Sequence, residues 1–336
     1  MEKFATEEEI ANIVFAFSGD VYALSDALRF LNINDYDKPM KPRFLCWLIG
    51  LKLIPPDRMN WIPEIYKLSD YYRRCLERYV GDCYQSPLDS VSTNSGVIRD
   101  NVHAALPWFN KFAAYFGLDE FHIKDAEIRI QRIFAVCIHD ANGFKFNEAY
   151  TRVAYLAYLL SLIFSAHGAL PLVFAEAMAH HIARALISIL AFNRNLDDMN
   201  ASEDHHNELQ RLTKQFCPEV FQKLRAGGIN FFEFSDRWER NMFADEHAPL
   251  NIFLIWDQII FHITEFRYFL RFLVVAHYRA MINAKIDFNS DESILDMRWD
   301  AMAIIDDVEY LIEKSKENPM NLFYQIICPC FPFLRK

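Results

Sequence analysis

Two histidine pairs are the side chains whose types and spacing most suggest metal chemistry. His180 and His181 are adjacent, and Asp204 directly precedes His205 and His206. Adjacent residues on a helix point about 100° apart and rarely chelate one ion, and no CxxC pair is available to complete a tetrahedral set. The HExxH zinc motif, the GxSxG elbow and the GxxxxGK[ST] phosphate loop are also absent. We therefore interpret these histidines as solvated or helix-capping residues and predict no metal site.

The elements that must position any functional side chain are predicted to be helices. Apolar residues recur at helical spacing along most of the chain, and no alternating strand pattern of convincing length appears. Thr6, followed by three glutamates, is typical of a helix N-cap with an acidic first turn. The sequence predicts an all-α fold, with a loop over 81–96 and a polar connection over 193–206. Helices are predicted over 6–17, 21–31, 61–79, 120–138, 150–164, 172–192, 207–224, 266–284 and 293–317.

Composition limits the function classes that this chain can serve. The chain has 336 residues, of which 52% are hydrophobic, so it can bury a large core. Its formal net charge of −10 argues against a nucleic-acid-binding protein that relies on a global positive field. Seven scattered cysteines and an acidic start without a signal-peptide pattern favour reduced thiols in the cytoplasm.

One uncharged stretch, residues 153–175, is long enough to cross a bilayer. Gly168 and Pro171 interrupt it, and glycine followed by proline favours a turn. The alternatives are a membrane span and two buried helices joined by a tight turn. The turn residues favour the second.

An ordered set of aromatic and charged residues in 231–257 carries a resemblance to a known family. Arg237-Trp238 is followed by Pro249-Leu250 at a helix start and by an apolar run that ends in Trp256-Asp257. This block resembles the late conserved block of TBC domains, the helical domains of Rab GTPase-activating proteins. The resemblance implies an all-α fold of two packed helical subdomains that form one large helical domain.

Two upstream motifs extend the resemblance over about 41–284. Arg43 and Trp47 stand four residues apart, which resembles the RxxxW opening of the family, although a core tryptophan beside a solvated arginine is the alternative. Arg132 begins an RIF triplet that resembles the family's RIL. We predict a helical extension over 1–40, a TBC-like domain over 41–284 with a subdomain break near 193–206, and a C-terminal helix with a cysteine-containing tail over 285–336.

The resemblance places a first catalytic position at His103. The family carries an arginine finger in an IxxDxxR motif, and this arginine stabilises charge on the transferred γ-phosphoryl group. Val97 and Asp100 fit the isoleucine and aspartate positions, but His103 stands where the arginine is expected. Imidazole lacks the permanent charge and the planar fork of guanidinium. Arg99 is an alternative source of the cation, although it lies one residue before Asp100 and is expected to point elsewhere.

The second catalytic position falls at Glu148. The family's YxQG motif supplies a glutamine that orients the attacking water, and here Phe146, Glu148 and Ala149 take the tyrosine, glutamine and glycine places. An alternative register that starts at Phe144 puts Phe146 at the glutamine position. An ionised glutamate cannot donate a hydrogen bond, and Ala149 lacks the backbone freedom of glycine.

These substitutions predict a regulator of Rab-type GTPases in vesicle traffic with weak or no dual-finger GTPase activation. The alternatives are an active Rab GTPase-activating protein with non-standard fingers, and a helical scaffold without a GTPase partner. No cofactor is expected in this chain, because GTP and Mg²⁺ would belong to the partner GTPase. Cys328 and Cys330 lie in an apolar tail that ends in two basic residues, a composition that suits acylation and peripheral binding to endomembranes. A tail packed into a groove, or simple reduced thiols, are the alternatives.

Overall fold

The fold is all-α, as the sequence predicts, because every regular element among the described residues is helical. A computed structural model describes residues 2–17, 40–91, 94–140, 144–167, 169–194, 199–286, 288 and 297–316. The helix predicted over 21–31 and the tail cysteines Cys328 and Cys330 lie outside these residues. The chain divides into two compact units, Met1–Phe192 and Asn193–Lys336.

The first unit contains the helices that carry the predicted site. Residues Leu76–Val80 add a π-helical turn, and 3₁₀ turns cover Gly81–Cys83 and Pro87–Ser90. The α-helices are α1 (Glu7–Phe17), α2 (Met40–Gly50), α3 (Trp61–Cys75), α4 (Ser95–Tyr115), α5 (Glu120–Ile123), α6 (Ala126–Asp140), α7 (Tyr150–His167) and α8 (Leu172–Arg194), the last of which runs past the division between the units.

Helix α1 begins with a reciprocal cap, which confirms the predicted start at Thr6. The Thr6 hydroxyl accepts a hydrogen bond from the Glu9 amide at 3.2 Å, and the Glu9 carboxylate accepts one from the Thr6 amide at 2.7 Å. This bond from the Thr6 backbone lowers the pKa of Glu9 to about 2. The buried residues Ile10 and Val14 lie on α1, which packs against α3.

The uncharged stretch 153–175 forms two buried helices joined by a turn. Its described residues lie at the end of α7, in the turn and at the start of α8, and most of them are buried. Ala169 has a left-handed φ of 51°, and the Leu170 amide donates to the Ser165 carbonyl at 3.1 Å. The prediction of two helices is therefore confirmed. By length and composition alone, Leu172–Leu190 would suffice to cross a membrane, yet 72% of its most apolar window is buried inside the protein.

The helix predicted over 120–138 is wrong as a single element. Asp119 caps the short helix α5, and its carboxylate accepts from the His122 amide at 3.1 Å. Asp125 then adopts a left-handed φ of 61°, which ends the helical path before α6 begins at Ala126. Aspartate tolerates this conformation better than most residues. The predicted helix 61–79 also changes geometry, because α3 ends at Cys75 and continues as the π-helical turn.

Residues 193–194 and 199–206 are helical, so the predicted polar connection over 193–206 is wrong there, and its residues 195–198 lie outside the described part of the chain. The helix predicted over 207–224 is divided at Pro218, which has no N–H to continue the ladder. Of the helix predicted over 293–317, residues 293–296 and 317 lie outside the described residues, and 297–300 are not helical. The observed helix begins at Ala301, after the Asp300 side chain accepts from the Ala303 amide at 3.1 Å. The helices of this unit are α9 (Met199–Phe216), α10 (Glu219–Ala226), α11 (Phe231–Arg240), α12 (Pro249–Phe261), α13 (Phe266–Asn283) and α14 (Ala301–Lys316).

Candidate functional site

The first predicted catalytic position lies on the exposed face of α4. The opposite face is buried through Ile98 and Val102, which fixes the orientation of the helix. Val97, Asp100 and His103 recur at three-residue spacing and are all exposed. The structure therefore exposes these three side chains together on one face of α4.

A carboxylate on α6 holds the His103 imidazole. Nδ1 of His103 lies 3.3 Å from Oε2 of Glu127, although the histidine side chain is 75% exposed. The other Glu127 oxygen accepts a hydrogen bond from the side-chain amide nitrogen of Gln131 at 3.3 Å. Glu127 is thus fixed from two sides. Any cation at position 103 meets a negative charge within the first unit.

Arg99 does not share the surroundings of His103. Its Nη2 atom lies 3.3 Å from Oδ1 of Asp89, in the 3₁₀ turn before α4, and both side chains are well exposed. The structure thus pairs Arg99 with the preceding turn. This places the alternative cation in a different local environment from the predicted finger position.

The second predicted position lies in the turn that leads into α7. The Asn147 side chain accepts a hydrogen bond from the Ala149 amide at 3.0 Å, and its carbonyl accepts from the Tyr150 amide at 3.0 Å. Glu148 is exposed at the tip of this turn, while Ala149 is buried. The Phe146 ring packs edge-on against Phe134 of α6, with centroids 5.1 Å apart. The turn is therefore anchored on both sides of an exposed carboxylate.

Helix α7 connects this turn to α4. The Tyr155 hydroxyl donates to the Val102 carbonyl at 3.0 Å, and the Arg152 guanidinium lies 5.0 Å from the centre of the Trp108 ring. In the part of the chain that the structure describes, no hydrogen bond or ion pair joins His103 to Glu148. The two positions are both exposed and belong to the same helical framework of the first unit.

The Arg132 side chain, predicted as a motif residue, is the centre of a buried ion-pair network. Its Nε and Nη2 atoms each donate to Glu176 of α8 at 2.7 Å, a bidentate arrangement. Arg129 also donates to Glu176, at 2.9 Å, and the Tyr72 hydroxyl donates to it at 2.8 Å. Burial alone would lower the pKa of Arg132, but the Glu176 carboxylate raises it above its ordinary value.

Glu176 was not singled out from the sequence, although a signal for it exists. Glu176, His180 and Arg184 recur every four residues in an otherwise apolar helix, which marks one polar face. The Arg184 guanidinium pairs with Asp140, and the Tyr71 hydroxyl donates to the same carboxylate at 2.5 Å. A polar stripe within a buried helix predicts buried partners of opposite charge.

The remaining upstream motif residues belong to the core of the first unit. Arg43 and Trp47 are both buried in α2. Between them, the Phe44 ring stacks on Phe164 of α7 with centroids 4.2 Å apart. The alternative of a solvated arginine at position 43 is therefore wrong.

The late motif residues organise the second unit. Trp238 is fully buried, and the Trp256 indole donates to the Met242 carbonyl at 2.9 Å. Pro249 occupies the first turn of α12, where its missing N–H leaves no ladder bond unmade. Asp257 is buried at the end of the apolar run. Arg237 reaches the Glu246 carboxylate, with Nε 3.0 Å from Oε1. These motif residues are therefore buried or ion-paired within the second unit, and their roles are structural.

The histidine pairs do not lie in the solvated positions predicted for them. His180 and His181 are buried in α8, where burial lowers the pKa of both. Nε2 of His205 lies 2.8 Å from the Glu239 carboxylate, and Nε2 of His206 lies 2.9 Å from Asp236. Among the described residues, no group of three or more histidine, cysteine or acidic side chains could hold a metal ion.

A further buried histidine pair lies in the second unit. Nε2 of His247 and Nε2 of His277 are 3.0 Å apart. Nδ1 of His277 lies 2.7 Å from the Leu273 carbonyl, which can only accept. A neutral His277 therefore donates from Nδ1 and accepts at Nε2, so His247 donates from its Nε2. Burial holds the pKa of both well below the ordinary value.

The fold resembles that of a solved Rab-GAP domain. A crystal structure of the Ypt/Rab-GAP domain of Gyp1p matches this chain with a TM-score of 0.64 and 13% sequence identity. The match covers 92% of this chain and 99% of the other. No family model matches the sequence, and no match was found among the curated proteins. The chain thus has a TBC Rab-GAP fold, established by structure at low sequence identity.

Proposed function

We propose that this chain is a TBC-type regulator of Rab GTPases that binds the GTP-loaded GTPase with weak or no dual-finger activation of hydrolysis. The observation that carries the proposal is the chemistry of His103 and Glu148, two exposed side chains at the positions that the sequence motifs predict for the fingers. The solved domain of similar fold is described as a Ypt/Rab-GAP domain. The fold supports Rab binding, and the substituted positions support the loss of catalysis.

The first finger position lacks the chemistry that GTP hydrolysis requires. An arginine finger contributes on the order of 10³–10⁵ in rate, because its permanent charge and planar fork match the transferring phosphoryl group. His103 offers a shorter imidazole that already lies 3.3 Å from Glu127. The Glu127 carboxylate would offset a positive charge on this imidazole, so His103 is a poor replacement for an arginine finger.

The second finger position adds a negative charge where a neutral group is needed. A glutamine both donates and accepts, and so can orient a water molecule, whereas an ionised carboxylate only accepts. Glu148 is exposed at the tip of its turn and would face the phosphates of a nucleotide. Charge repulsion at this position opposes catalysis rather than promoting it.

The wider setting of the proposal follows from the partner. A Rab-type GTPase would bring its own GTP and Mg²⁺, so this chain would need no cofactor and would act in vesicle traffic on the cytoplasmic side of membranes. Acylation of Cys328 or Cys330 would add peripheral membrane binding. Stable attachment to a membrane generally needs two anchoring signals, such as two acyl chains or one acyl chain and a basic patch.

Single-turnover hydrolysis across a panel of Rab proteins tests the proposal. With the chain in excess over each GTP-loaded Rab, we expect binding to at least one Rab and a hydrolysis rate close to its intrinsic rate. Acceleration that is abolished by His103→Ala or Glu148→Ala would establish an active enzyme with unconventional fingers. A failure to bind any GTP-loaded Rab would instead favour a helical scaffold.

A gain-of-function variant tests whether only the fingers are missing. We expect the double variant His103→Arg, Glu148→Gln to increase the rate at which the bound Rab hydrolyses its GTP. Asp82→Asn with Glu120→Gln is the matched control, because it changes the net charge equally at two exposed positions of the same unit. An equal response to both pairs of substitutions would show that net charge, and not the finger chemistry, sets the rate.

A further inference from the structure

The Glu2 carboxylate lies among hydrogen-bond donors that come from distant parts of the first unit. Nη2 of Arg129 is 2.9 Å from each of the two Glu2 oxygens. Nη2 of Arg132 lies 3.7 Å from Oε1, and the Tyr84 hydroxyl donates to the same oxygen at 3.4 Å. A carboxylate before α1 is thus held by α6 and by the turn before α4.

The charges at this position require an anion. Arg129 and Arg132 are 3% and 2% exposed, so both guanidinium groups are buried. Glu176 supplies one negative charge to these two cations. Without Glu2, one buried positive charge would remain unbalanced, which is costly in a protein interior.

The donors are not exhausted by their present partners. Nε of Arg129 is buried and makes no hydrogen bond to any residue that the structure describes. The Arg132 guanidinium lies 4.1 Å from the centre of the Tyr84 ring, which fixes the plane of both groups. The donors thus already converge on the carboxylate, and one buried guanidinium N–H without a partner would suit a ligand that has more oxygen atoms than a carboxylate.

Glu2 is the part of this arrangement that can be replaced. Its side chain is 37% exposed, in contrast to the buried arginines. The helical cap at Thr6 and the buried Ala5 hold α1 independently of Glu2. Loss of the Glu2 contacts would therefore leave the cap of α1 intact.

We propose that Arg129, Arg132 and Tyr84 form an oxyanion-binding site whose resident ligand is the Glu2 carboxylate. A small free oxyanion, with phosphate as the best match to two guanidinium groups, occupies the site when Glu2 is absent or displaced. The site does not depend on the proposed binding of a Rab GTPase. The N-terminal segment and a soluble anion thereby compete for one position.

Thermal unfolding of the full chain tests this proposal. Wild type, Glu2→Gln and the control Glu8→Gln, which alters an exposed glutamate of α1, are compared in chloride and in inorganic phosphate at equal ionic strength and pH. In chloride, we expect Glu2→Gln to lower the Tm by about 3 °C or more. Phosphate should restore much of this loss with saturation, while wild type and Glu8→Gln respond little.

Two further variants keep the test decisive. Glu2→Gln with Tyr84→Phe removes one donor but keeps the ring over Arg132, so the Tm shift in phosphate should shrink. Glu2→Asp folds more securely and should show an intermediate phosphate response. Equal responses of Glu2→Gln and Glu8→Gln, or a shift that Tyr84→Phe leaves unchanged, would overturn the proposal. If Glu2→Gln fails to fold in both salts, an Asp variant without a phosphate response overturns it as well.

Discussion

The imidazole Nδ1 atom of His103 lies 3.3 Å from Oε2 of Glu127, which joins the predicted finger position to a neighbouring helix. Glu127 is only 27% exposed and is also held by Gln131. A new cation at position 103 would therefore find a prepared counter-ion on its own protein. The pairing opposes the extension of a side chain toward a bound nucleotide.

We expect Glu127→Gln to increase the gain from restored fingers. In the His103→Arg, Glu148→Gln background, the neutral amide would release the new guanidinium from its ion pair. A gain of about fivefold in single-turnover hydrolysis corresponds to ~1 kcal/mol, the upper range for an exposed pair. Glu127→Gln alone should leave hydrolysis unchanged. Identical rates with and without Glu127→Gln in this background would show that Glu127 does not restrain the new arginine.

Removal of the charge on Glu176 from the buried network around Arg132 should strongly destabilise the first unit. Glu176→Gln leaves two buried guanidinium groups short of a partner, so we expect a loss of about 3–5 kcal/mol in the free energy of unfolding. Arg73→Ala provides the contrast, because its pairs with Asp70 and Glu77 lie at the surface and should cost less than about 1 kcal/mol. Urea unfolding followed by circular dichroism measures both. If the two substitutions cost similar free energies of unfolding, the buried ion pairs are no more important for stability than the surface ones.

The buried histidines should make the protein less stable in acid. Burial lowers the pKa of His181 to about 4 and that of His277 to about 3, so both stay neutral in the folded state. Between these values and about 6.5, the unfolded chain binds more protons. Stability from these groups is therefore complete above about pH 6.5 and is lost as the pH falls. Each adds a slope of about 1.4 kcal/mol per pH unit.

Replacement of one buried histidine tests the source of this acid sensitivity. His181→Gln keeps a donor that can reach the Leu68 carbonyl, which Nε2 of His181 now contacts at 2.9 Å. We then expect a smaller slope of the free energy of unfolding against pH below about pH 6.5, because unfolding of the variant takes up about one proton fewer. The measurement covers pH 4.5 to 7.5. An unchanged slope would show that other groups take up the protons.

Two glycines should respond in opposite ways to alanine. A Cβ added at Gly227 would lie 2.3 Å from the Phe288 carbonyl oxygen, so Gly227→Ala must displace backbone and should destabilise the protein by about 1–3 kcal/mol. A Cβ at Gly96 meets nothing within 4 Å, and the residue lies in α4. Gly96→Ala should therefore stabilise by up to about 1 kcal/mol. A shared sign in thermal unfolding would contradict this difference.

The sequence predicted helices well where apolar spacing is long and uninterrupted. The two helices on either side of Pro171 were predicted because the turn residues were visible within an apolar run. The break at Asp125 was missed, since a left-handed aspartate inside an amphipathic pattern leaves no change in periodicity. The start of α9 at Met199 was missed because polar residues at a helix beginning resemble a loop.

The sequence predicts which residues form the candidate site, but it does not predict which side chains they contact. Motif spacing predicts His103 and Glu148 as the finger positions, and this assignment stays a prediction. The contact between His103 and Glu127 depends on how α6 restarts after Asp125, which no local pattern determines. The buried position of Arg132 similarly depends on Glu176, a partner 44 residues away in the sequence. Such long-range pairing is set by tertiary packing.

Glu176 also limits where α8 can reside. The helix passes for a bilayer span on composition, yet near its start it carries a carboxylate whose donors come from α3 and α6. Transfer of this helix into lipid would place the Glu176 carboxylate in an apolar medium without its donors Tyr72, Arg129 and Arg132. The two arginines would in turn lose their buried counter-ion. This one acidic residue thus secures, within the protein around it, the one described helix that is long and apolar enough to cross a bilayer.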